Sequence, residues 1–404
     1  MGDTGRTLSP VPRMRRAALL GLVVAAVGCR EAASQTTFAS TSAAIDRVVA
    51  DHYPGGWGVE LAVYKDGRPL YIHGYGLRDR GLPEAFGGEK FWGVQEPDAV
   101  YHLPRSPAPP DSTTIFDLAS VSKEFTAGAI LLLQQDGKLS VNDLVSRYLP
   151  SFPPGNRLTL LNLLRHESGL VDYNNFGDPP DFLPAYHAFM AGGQEDLGPV
   201  VDTLGRYPLR FAPGSKYEYC NSNYLVLGVI VAQVSGMPFD AFLESRIFEP
   251  LGMQHTHQGF PPLSPPVTDF ALGYADYGSG ARRALQPNLR WLAGPGGLTS
   301  TVTDLERWDR AVRQPGIFTA ASLAQMFVPG RFPQSYGTYA DGWFVSTLEG
   351  HRYRWHDGQV GGYQTLNATF PDDALDIIIL TNDGLGLDPY YIVPQLLPLA
   401  LAIQ

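Results

Sequence analysis

The chain has 404 residues, of which 44% are hydrophobic and 17% charged, and its formal net charge is −10. This composition is typical of a globular protein, and it argues against a disordered chain or a polytopic membrane protein. No basic cluster follows residue 16. We therefore expect no nucleic-acid partner, because phosphate binding needs a concentrated positive surface.

The N-terminus has the pattern of a secretory signal peptide over residues 1–29. Arg13, Arg15 and Arg16 precede an eleven-residue apolar run at 17–27, which is too short to span a bilayer. Residues 26–29 also resemble a bacterial lipobox, which makes Cys29 a candidate for lipidation; plain cleavage and export is the alternative, since Ala26 replaces the usual leucine. We predict a periplasmic or cell-envelope protein whose only contact with the membrane is this signal or lipid anchor.

The next elements predict a tether, a helix, a hairpin and a long loop. The Ser/Thr/Ala-rich residues 30–40 are typical of a tether, and residues 42–52 have a helical apolar face. Alternation over 59–64, the Asp66–Gly67 turn and the return at 70–72 predict a β-hairpin. Residues 83–112 are rich in Pro and Gly and predict a surface loop, which either covers the cleft and selects substrates or is idle surface.

Helical patterns then dominate residues 118–285, and strand patterns return from about residue 340. The helical patterns cover 139–149, 158–165, 221–235 and 240–251; the strand patterns cover 341–347, 352–356, 363–370 and 375–381, before a last helix at 388–402. The simplest architecture is one α+β domain over 41–404. Its sheet lobe takes about 41–117 and 286–404, and an inserted helical lobe takes about 118–285.

A serine and a lysine stand three residues apart at Ser120 and Lys123. Residues at this spacing on a helix are neighbours, with Cβ atoms about 5–6 Å apart. The following run, 125–133, is apolar nearly all round and predicts a buried helix. Burial would lower the pKa of Lys123 and make it a base for the seryl hydroxyl. Alone the spacing is weak evidence, because a helix-capping serine with a snorkelling lysine has the same pattern.

Two more groups of residues carry candidate chemistry. Tyr219 and Asn221 precede the 221–235 helix; a tyrosine beside a cationic lysine would have a depressed pKa, and the asparagine would orient lysine and substrate. The alternative is a core tyrosine followed by a cap. His356 and Gly358 end a strand pattern. His356 would supply a donor or a titratable charge, Gly358 would let a ligand approach closely, and the Gln359 N–H would join that of Ser120 in an oxyanion hole.

In this order, these groups resemble the S-x-x-K, Y-x-N and K/H-x-G elements of the penicillin-recognising serine hydrolases. That family includes class C β-lactamases, DD-peptidases, esterases and D-amino-acid peptidases. Further segments resemble the family's sequence at Leu160–Leu170, Tyr219–Gly228 and Gly296–Trp308, and the resemblance covers roughly residues 42 to 390. It implies a β-lactamase/transpeptidase-like fold, in which an antiparallel sheet flanked by helices meets an all-helical lobe and the active site lies in the cleft between them.

The resemblance also implies a role for each matching residue. Ser120 is the acylated nucleophile, Lys123 its activator and Tyr219 the proton-transfer partner. The substrate-binding residues are Asn221, His356 and Gly358, and the backbone N–H groups of Ser120 and Gln359 form the oxyanion hole. No cofactor or metal is expected. His166 is interpreted as structural, and Cys220 as a small buried residue.

One difference from the sequence of class C β-lactamases narrows the range of expected substrates. His356 stands where class C β-lactamases have lysine, which weakens the fixed positive charge for a β-lactam or peptide carboxylate. We therefore expect a small-molecule or peptide substrate with an ester or amide bond, as in the esterase and D-amino-acid peptidase or carboxypeptidase branches. The alternatives are a class C-like β-lactamase and a catalytically silent, envelope-tethered binding protein. The intact Ser120, Lys123, Tyr219 and Asn221 argue against the silent protein.

Overall fold

The computed structural model describes residues 38–82, 107–173, 197–259, 269–276, 280–284 and 292–403. The predicted signal peptide with Cys29, most of the tether and residues 83–106 of the long loop lie outside these ranges. The last residues of that loop, 107–112, are described and lead into the strand before Ser120.

An eight-stranded antiparallel sheet is built from both ends of the described chain. The thirteen strands among the described residues are β1 Val59–Lys65, β2 Arg68–Tyr75, β3 Phe116–Asp117, β4 His257–Gln258, β5 Tyr274–Asp276, β6 Ala281–Arg283, β7 Leu298–Ser300, β8 Pro333–Gln334, β9 Gly337–Tyr339, β10 Phe344–Leu348, β11 His351–Val360, β12 Tyr363–Phe370 and β13 Leu375–Thr381. The large sheet has the order β2-β1-β13-β12-β11-β10-β9-β8. Because β1 pairs with β13, from Val59↔Thr381 to Lys65↔Leu375, the predicted α+β architecture is confirmed.

The helices lie mainly between the two sets of strands. The described helices are α1 38–52, α2 Ser122–Gln135, α3 Leu160–Leu164, α4 Gly198–Leu204, α5 Asn221–Ser235, α6 Phe239–Leu243, α7 Glu249–Leu251, α8 Val302–Arg313, α9 Ala320–Met326 and α10 Val393–Ala402. Helix α5 has the predicted bounds and ends at Ser235, before Gly236, whose φ of 74° is the left-handed conformation that glycine adopts readily. A π-helical turn joins α6 to α7.

Helices α2 and α8 are held together where they meet the sheet. Helix α8 packs against β1 and β13. Its Trp308 ring stacks on Phe125 of α2 with the centroids 4.3 Å apart, and its indole N–H donates to Glu124 at 2.8 Å. All three side chains are buried. The N-terminus of α2, which follows Ser120 directly, is therefore fixed to the sheet by packing and by a buried hydrogen bond.

The predicted helix at 139–149 is wrong, since this segment forms turns and one 3-10 turn at Val145–Arg147. Polar side chains take backbone donors that a helix would use. The Asp143 carboxylate accepts from the Ser140 N–H at 2.8 Å, and the Gln134 amide oxygen accepts from the Val141 N–H at 2.8 Å. Such local hydrogen bonds compete with helix formation. The sequence did not predict strands β3 to β9 either, because each has only two or three residues and is too short to show an alternating pattern.

Within the described ranges, no single helix is long and apolar enough to cross a bilayer. Helix α5 and the segment Phe239–Leu251 pass that test together by length and composition, but they meet at an angle of 74°.

Candidate active site

Ser120 lies in a 3-10 turn, Ala119–Val121, which leads directly into α2. Ala119 has a φ of 47°, a left-handed conformation that costs a residue with a Cβ about 1–2 kcal/mol. The Asp117 carboxylate accepts from the Ala119 N–H at 2.8 Å and so stabilises the turn. Ser120 is partly exposed, while Ala119 and Val121 are buried. The turn therefore presents the Ser120 hydroxyl at the start of a helix.

Lys123 is fully buried, and its ammonium group has three oxygen partners. Its Nζ lies 2.9 Å from Ser120 Oγ, 2.9 Å from Asn221 Oδ1 and 2.7 Å from the Pro295 carbonyl oxygen. Burial lowers the pKa of Lys123 to about 7, against the opposing effect of the Asp172 and Asp357 charges. Near neutral pH a substantial fraction of Lys123 is thus uncharged and able to accept a proton.

Tyr219 is close enough to Ser120 for the two side chains to interact, and the ring centroid of Tyr219 lies 4.9 Å from Lys123 Nζ. Burial raises the pKa of Tyr219 well above 10, and the Asp357 charge raises it further. The predicted depression of this pKa is therefore wrong, because desolvation outweighs the lowering effect of the Ser120 side chain. Tyr219 keeps its proton near neutral pH, so it is a donor rather than a phenolate base.

Asp172 belongs to the group of side chains around Lys123, although nothing in the sequence identified it as a site residue. Its carboxylate accepts from the Asn221 amide N–H₂ at 3.1 Å, which turns the amide oxygen toward Lys123. Its charge is also the largest influence that opposes the lowering of the pKa of Lys123. Only its place two residues after the Leu160–Leu170 segment hinted at a role.

His166 supports the segment that carries Tyr219. Its Nδ1 accepts from the Cys220 backbone N–H at 3.1 Å and lies 3.0 Å from the Asn223 amide nitrogen. Its ring lies 4.3 Å from that of Tyr219, centroid to centroid. Burial lowers the pKa of His166 well below 6.5, so the ring is neutral. These contacts fit the structural interpretation of His166.

The contacts of His356 do not fit its predicted role as a substrate-binding residue. It is 1% exposed, and both ring nitrogens have partners. Nδ1 lies 2.6 Å from the Asp357 carbonyl oxygen, to which it must donate, so Nε2 accepts from the Tyr339 hydroxyl at 3.0 Å. Burial lowers the pKa of His356 to about 4. The imidazole is therefore neutral near neutral pH and has no free donor for a substrate.

Gly358 brings β11 against the turn that holds Ser120. A Cβ at this position would lie 2.3 Å from the Leu118 carbonyl oxygen and 2.3 Å from Thr365 Oγ1. The backbone that lies close to Gly358 is thus the protein's own, at Leu118, and not that of the ligand predicted from the sequence. Gln359 is exposed on the same strand. The oxyanion hole formed by the Ser120 and Gln359 N–H groups stays a prediction.

The Gly358→Ala substitution is expected to destabilise the protein by about 1–3 kcal/mol, because the added methyl group has no space between two strands and the Ser120 turn. Gly316→Ala is the matched control, since a Cβ at Gly316 meets nothing within 4 Å. Denaturant unfolding of both variants measures the difference. Equal stability of the two variants would contradict the close packing of β11 on the turn.

The pH profile of kcat/KM is expected to rise through an inflection near 7. Lys123 has its pKa lowered to about 7, so it is charged below that pH and neutral, hence able to act as a base, above it. The Asp172→Asn variant should move the inflection to lower pH, since removing a negative charge disfavours the ammonium form. A profile that does not move, or moves upward, would contradict the assignment of this limb to Lys123.

The described residues hold no group of three or more His, Cys, Asp or Glu side chains placed to bind a metal ion. Cys220 is free and buried, with its Sγ 3.5 Å from the Leu170 carbonyl oxygen. Burial raises the pKa of its thiol, so the thiol is protonated and unreactive. This agrees with the interpretation of Cys220 as a small packing residue.

The contact between Ser120 and Lys123 thus lies at the start of α2, in a fold of the β-lactamase/transpeptidase type. The chain belongs to the β-lactamase family, whose model matches residues 45–390. Penicillin-binding protein 4* of Bacillus subtilis is 32% identical over an alignment of 289 positions, which covers 68% of this chain and 62% of that protein. This chain therefore spans about three fifths of that relative's length.

Solved structures share the fold. The octameric penicillin-binding protein homologue from Pyrococcus abyssi superposes with a TM-score of 0.70 and 25% identity, over 90% of this chain and 77% of that chain. The D-amino acid amidase from Ochrobactrum anthropi SV3 has a TM-score of 0.68 and 23% identity, over 90% of this chain and 97% of that chain. At 23% identity, the similarity to the amidase shows a shared fold and nothing more.

Proposed function

We propose that this protein hydrolyses an ester or amide through an acyl-enzyme on Ser120. The observation that carries the proposal is the 2.9 Å contact between Ser120 Oγ and Lys123 Nζ, together with the burial that lowers the pKa of Lys123 to about 7. A base next to a seryl hydroxyl activates it as a nucleophile. Membership of the β-lactamase family supports the same chemistry.

In the acylation step, neutral Lys123 removes the proton from Ser120 as Oγ attacks the substrate carbonyl carbon. The developing oxyanion would be bound by the backbone N–H groups of Ser120 and Gln359. Protonated Tyr219, beside Ser120, passes a proton to the leaving group, and the proton that Lys123 took from Ser120 then restores the Tyr219 hydroxyl. Asn221 keeps Lys123 oriented through its amide oxygen, which Asp172 positions.

A water molecule then attacks the acyl-enzyme. Its proton passes to the same basic groups, the acid is released and the Ser120 hydroxyl is restored. The substrates that we propose are those of the esterase and D-amino-acid peptidase or carboxypeptidase branches. A neutral His356 with no free donor offers no fixed positive charge to a substrate carboxylate. This favours ester and amide substrates without a carboxylate beside the scissile bond over β-lactams and over peptides cleaved at a free C-terminus.

A panel of three substrates tests the proposal on protein produced without residues 1–35. A short-chain nitrophenyl ester is expected to be turned over fastest. A D-Ala-D-Ala peptide should react more slowly, because its carboxylate has no cationic partner at His356, and a chromogenic cephalosporin slowly or not at all. A fluorophosphonate probe should label Ser120, which mass spectrometry of the labelled peptide identifies. Fast cephalosporin turnover would favour the class C-like β-lactamase. The silent binding protein would give neither turnover nor labelling, and that result would refute the hydrolase.

A further inference from the structure

Two carboxyl groups lie in the core between the large sheet and the helices α2 and α8. Glu124 of α2 and Asp309 of α8 are fully buried, as is Asn367 of β12. The amide nitrogen of Asn367 donates to both carboxyls, at 3.0 Å from Glu124 Oε2 and 2.8 Å from Asp309 Oδ1. The indole N–H of Trp308 also donates to Glu124 Oε2, at 2.8 Å. The donors that hold the two carboxyls are therefore neutral N–H groups.

Neither carboxyl has a positively charged partner among the residues that the structure describes. Arg313, one turn further along α8, forms its ion pair with Asp376 of β13. Glu124 and Asp309 form no ion pair within the described part of the chain. A carboxylate that is buried without a cation is costly, and such a group takes up a proton instead.

Three oxygen atoms of this group lack a hydrogen-bond donor. Glu124 Oε1, Asp309 Oδ2 and Asn367 Oδ1 are buried and have no partner among the described residues. A neutral carboxylic acid has an O–H that donates, whereas a carboxylate can only accept. A proton on each acid would therefore turn two of these oxygens into donors and supply what the buried acceptors lack.

Burial and most of the surrounding charges favour the protonated form of both acids. Burial raises the pKa of Glu124 well above 4.5, and the Asp309 charge raises it further. Burial also raises the pKa of Asp309 well above 3.8, and the charges of Asp376 and Glu306 add to this. The hydrogen bonds from the amide, and the Arg313 charge at Asp309, oppose these effects without outweighing them. Both acids thus keep their protons near neutral pH.

Glu124 connects this group to the candidate active site. It follows Lys123 directly in the first turn of α2, and it ties that turn to β12 through Asn367. Asn367 is paired with His356 across β12 and β11, so these two side chains lie on the same face of the sheet. A negative charge at Glu124 would stabilise the ammonium form of Lys123, its neighbour in the chain. A neutral Glu124 holds the helix without that effect.

We propose that Glu124 and Asp309 are neutral carboxylic acids near neutral pH, and that Glu124 in this form is a positioning residue for Lys123. The pair fixes the start of α2 to the sheet through Asn367, and it does so without placing a charge beside the lysine. The effect on catalysis rests on the proposed acyl transfer to Ser120, whereas the protonation of the pair does not depend on it.

Proton release on unfolding tests the protonation of the pair. In the unfolded chain both acids have pKa values of about 4 and are ionised at neutral pH, so unfolding releases about one proton from each. The stability that the protonated pair contributes is therefore complete below about pH 4 and is lost as the pH rises toward the raised pKa values of the folded state.

The slope of the unfolding free energy against pH measures that release. Glu124→Gln and Asp309→Asn have the shape of the neutral acids, and each should reduce the release near neutral pH by about one proton. Asp136→Asn is the control at the other end of α2, where Arg246 lowers the pKa of a carboxyl that is ionised in both states. An unchanged release in Glu124→Gln or Asp309→Asn would overturn the proposal.

If a variant folds poorly, carboxyl ¹³C shifts of the unmodified protein report the same protonation. Two buried carboxyl signals should keep the shift of the neutral acid across neutral pH, and two carboxylate shifts there would overturn the proposal.

The pKa of Lys123 tests the positioning role. NMR titration of ¹³Cε-labelled lysine measures it without turnover, and Glu124→Gln should leave both this pKa and the inflection of kcat/KM unchanged. A carboxylate at Glu124 would predict a lower value in that variant. Glu124→Ala removes the acceptor for Asn367 and should lower kcat by about tenfold or more, which glutamine restores.

Full activity in Glu124→Ala would overturn the positioning role. Absent turnover together with absent labelling of Ser120 would instead refute the hydrolase and the kinetic part of the inference, while proton release and the NMR titration would still decide the protonation of the pair.

Discussion

Replacing Ser120 with alanine is expected to lower kcat for the short-chain ester by on the order of 10⁴-fold or more, as the loss of a catalytic nucleophile does in other serine hydrolases. The hydroxyl is the only group on this side chain that Lys123 contacts, and no acyl-enzyme can form without it. Ester turnover and fluorophosphonate labelling measure the effect. KM has little meaning for such a variant, so the comparison rests on kcat and on labelling.

Ser122→Ala is the matched control, because it lies in the same motif two residues away. Ser122 is buried, and its Oγ accepts from the Leu298 N–H at 3.1 Å. Its loss should cost about 1–3 kcal/mol of stability, since a buried donor is left unpaired, but labelling should persist. Activity that survives in Ser120→Ala, or disappears only in Ser122→Ala, would move the nucleophile away from Ser120.

The Tyr219→Phe variant is expected to lose about 10²-fold or more in kcat, which is the usual contribution of a general acid–base group. The substitution removes only the hydroxyl that interacts with Ser120 and leaves the ring that packs on His166. Because burial keeps this hydroxyl protonated, its loss removes the proton donor for the leaving group. Steady-state kinetics with the ester, and with an amide whose leaving group is more basic, should reveal a larger loss for the amide.

Tyr148→Phe controls for the removal of a tyrosine hydroxyl elsewhere in the protein; that hydroxyl donates to Asp143 at 2.5 Å. It should leave kcat within about twofold while it changes stability slightly. Thermal unfolding of both variants separates a folding defect from a catalytic one. A loss below threefold in a well-folded Tyr219→Phe protein would remove Tyr219 from the mechanism.

Local patterns in the sequence predicted the elements whose side chains repeat regularly. The strands at 363–370 and 375–381 coincide with β12 and β13, and the helix at 221–235 coincides with α5. These predictions succeeded because the alternation in β12, the apolar run in β13 and the glycine after α5 are encoded within or next to the element itself. The predicted helix at 139–149 does not form, because side chains accept hydrogen bonds from backbone N–H groups that a helix would use. Asp143 accepts from the Ser140 N–H, and Gln134 accepts from the Val141 N–H.

By itself, the sequence determined the order of the candidate catalytic residues and their family. Only the tertiary structure decided how those residues behave. Asp172 joins Asn221, Tyr339 joins His356, and the Pro295 carbonyl joins Lys123, each across a long stretch of chain. The protonation of Lys123, Tyr219 and His356 follows from burial and from these distant partners. A pKa depends on the surrounding solvent and charge, which exist only once the separate segments have packed together.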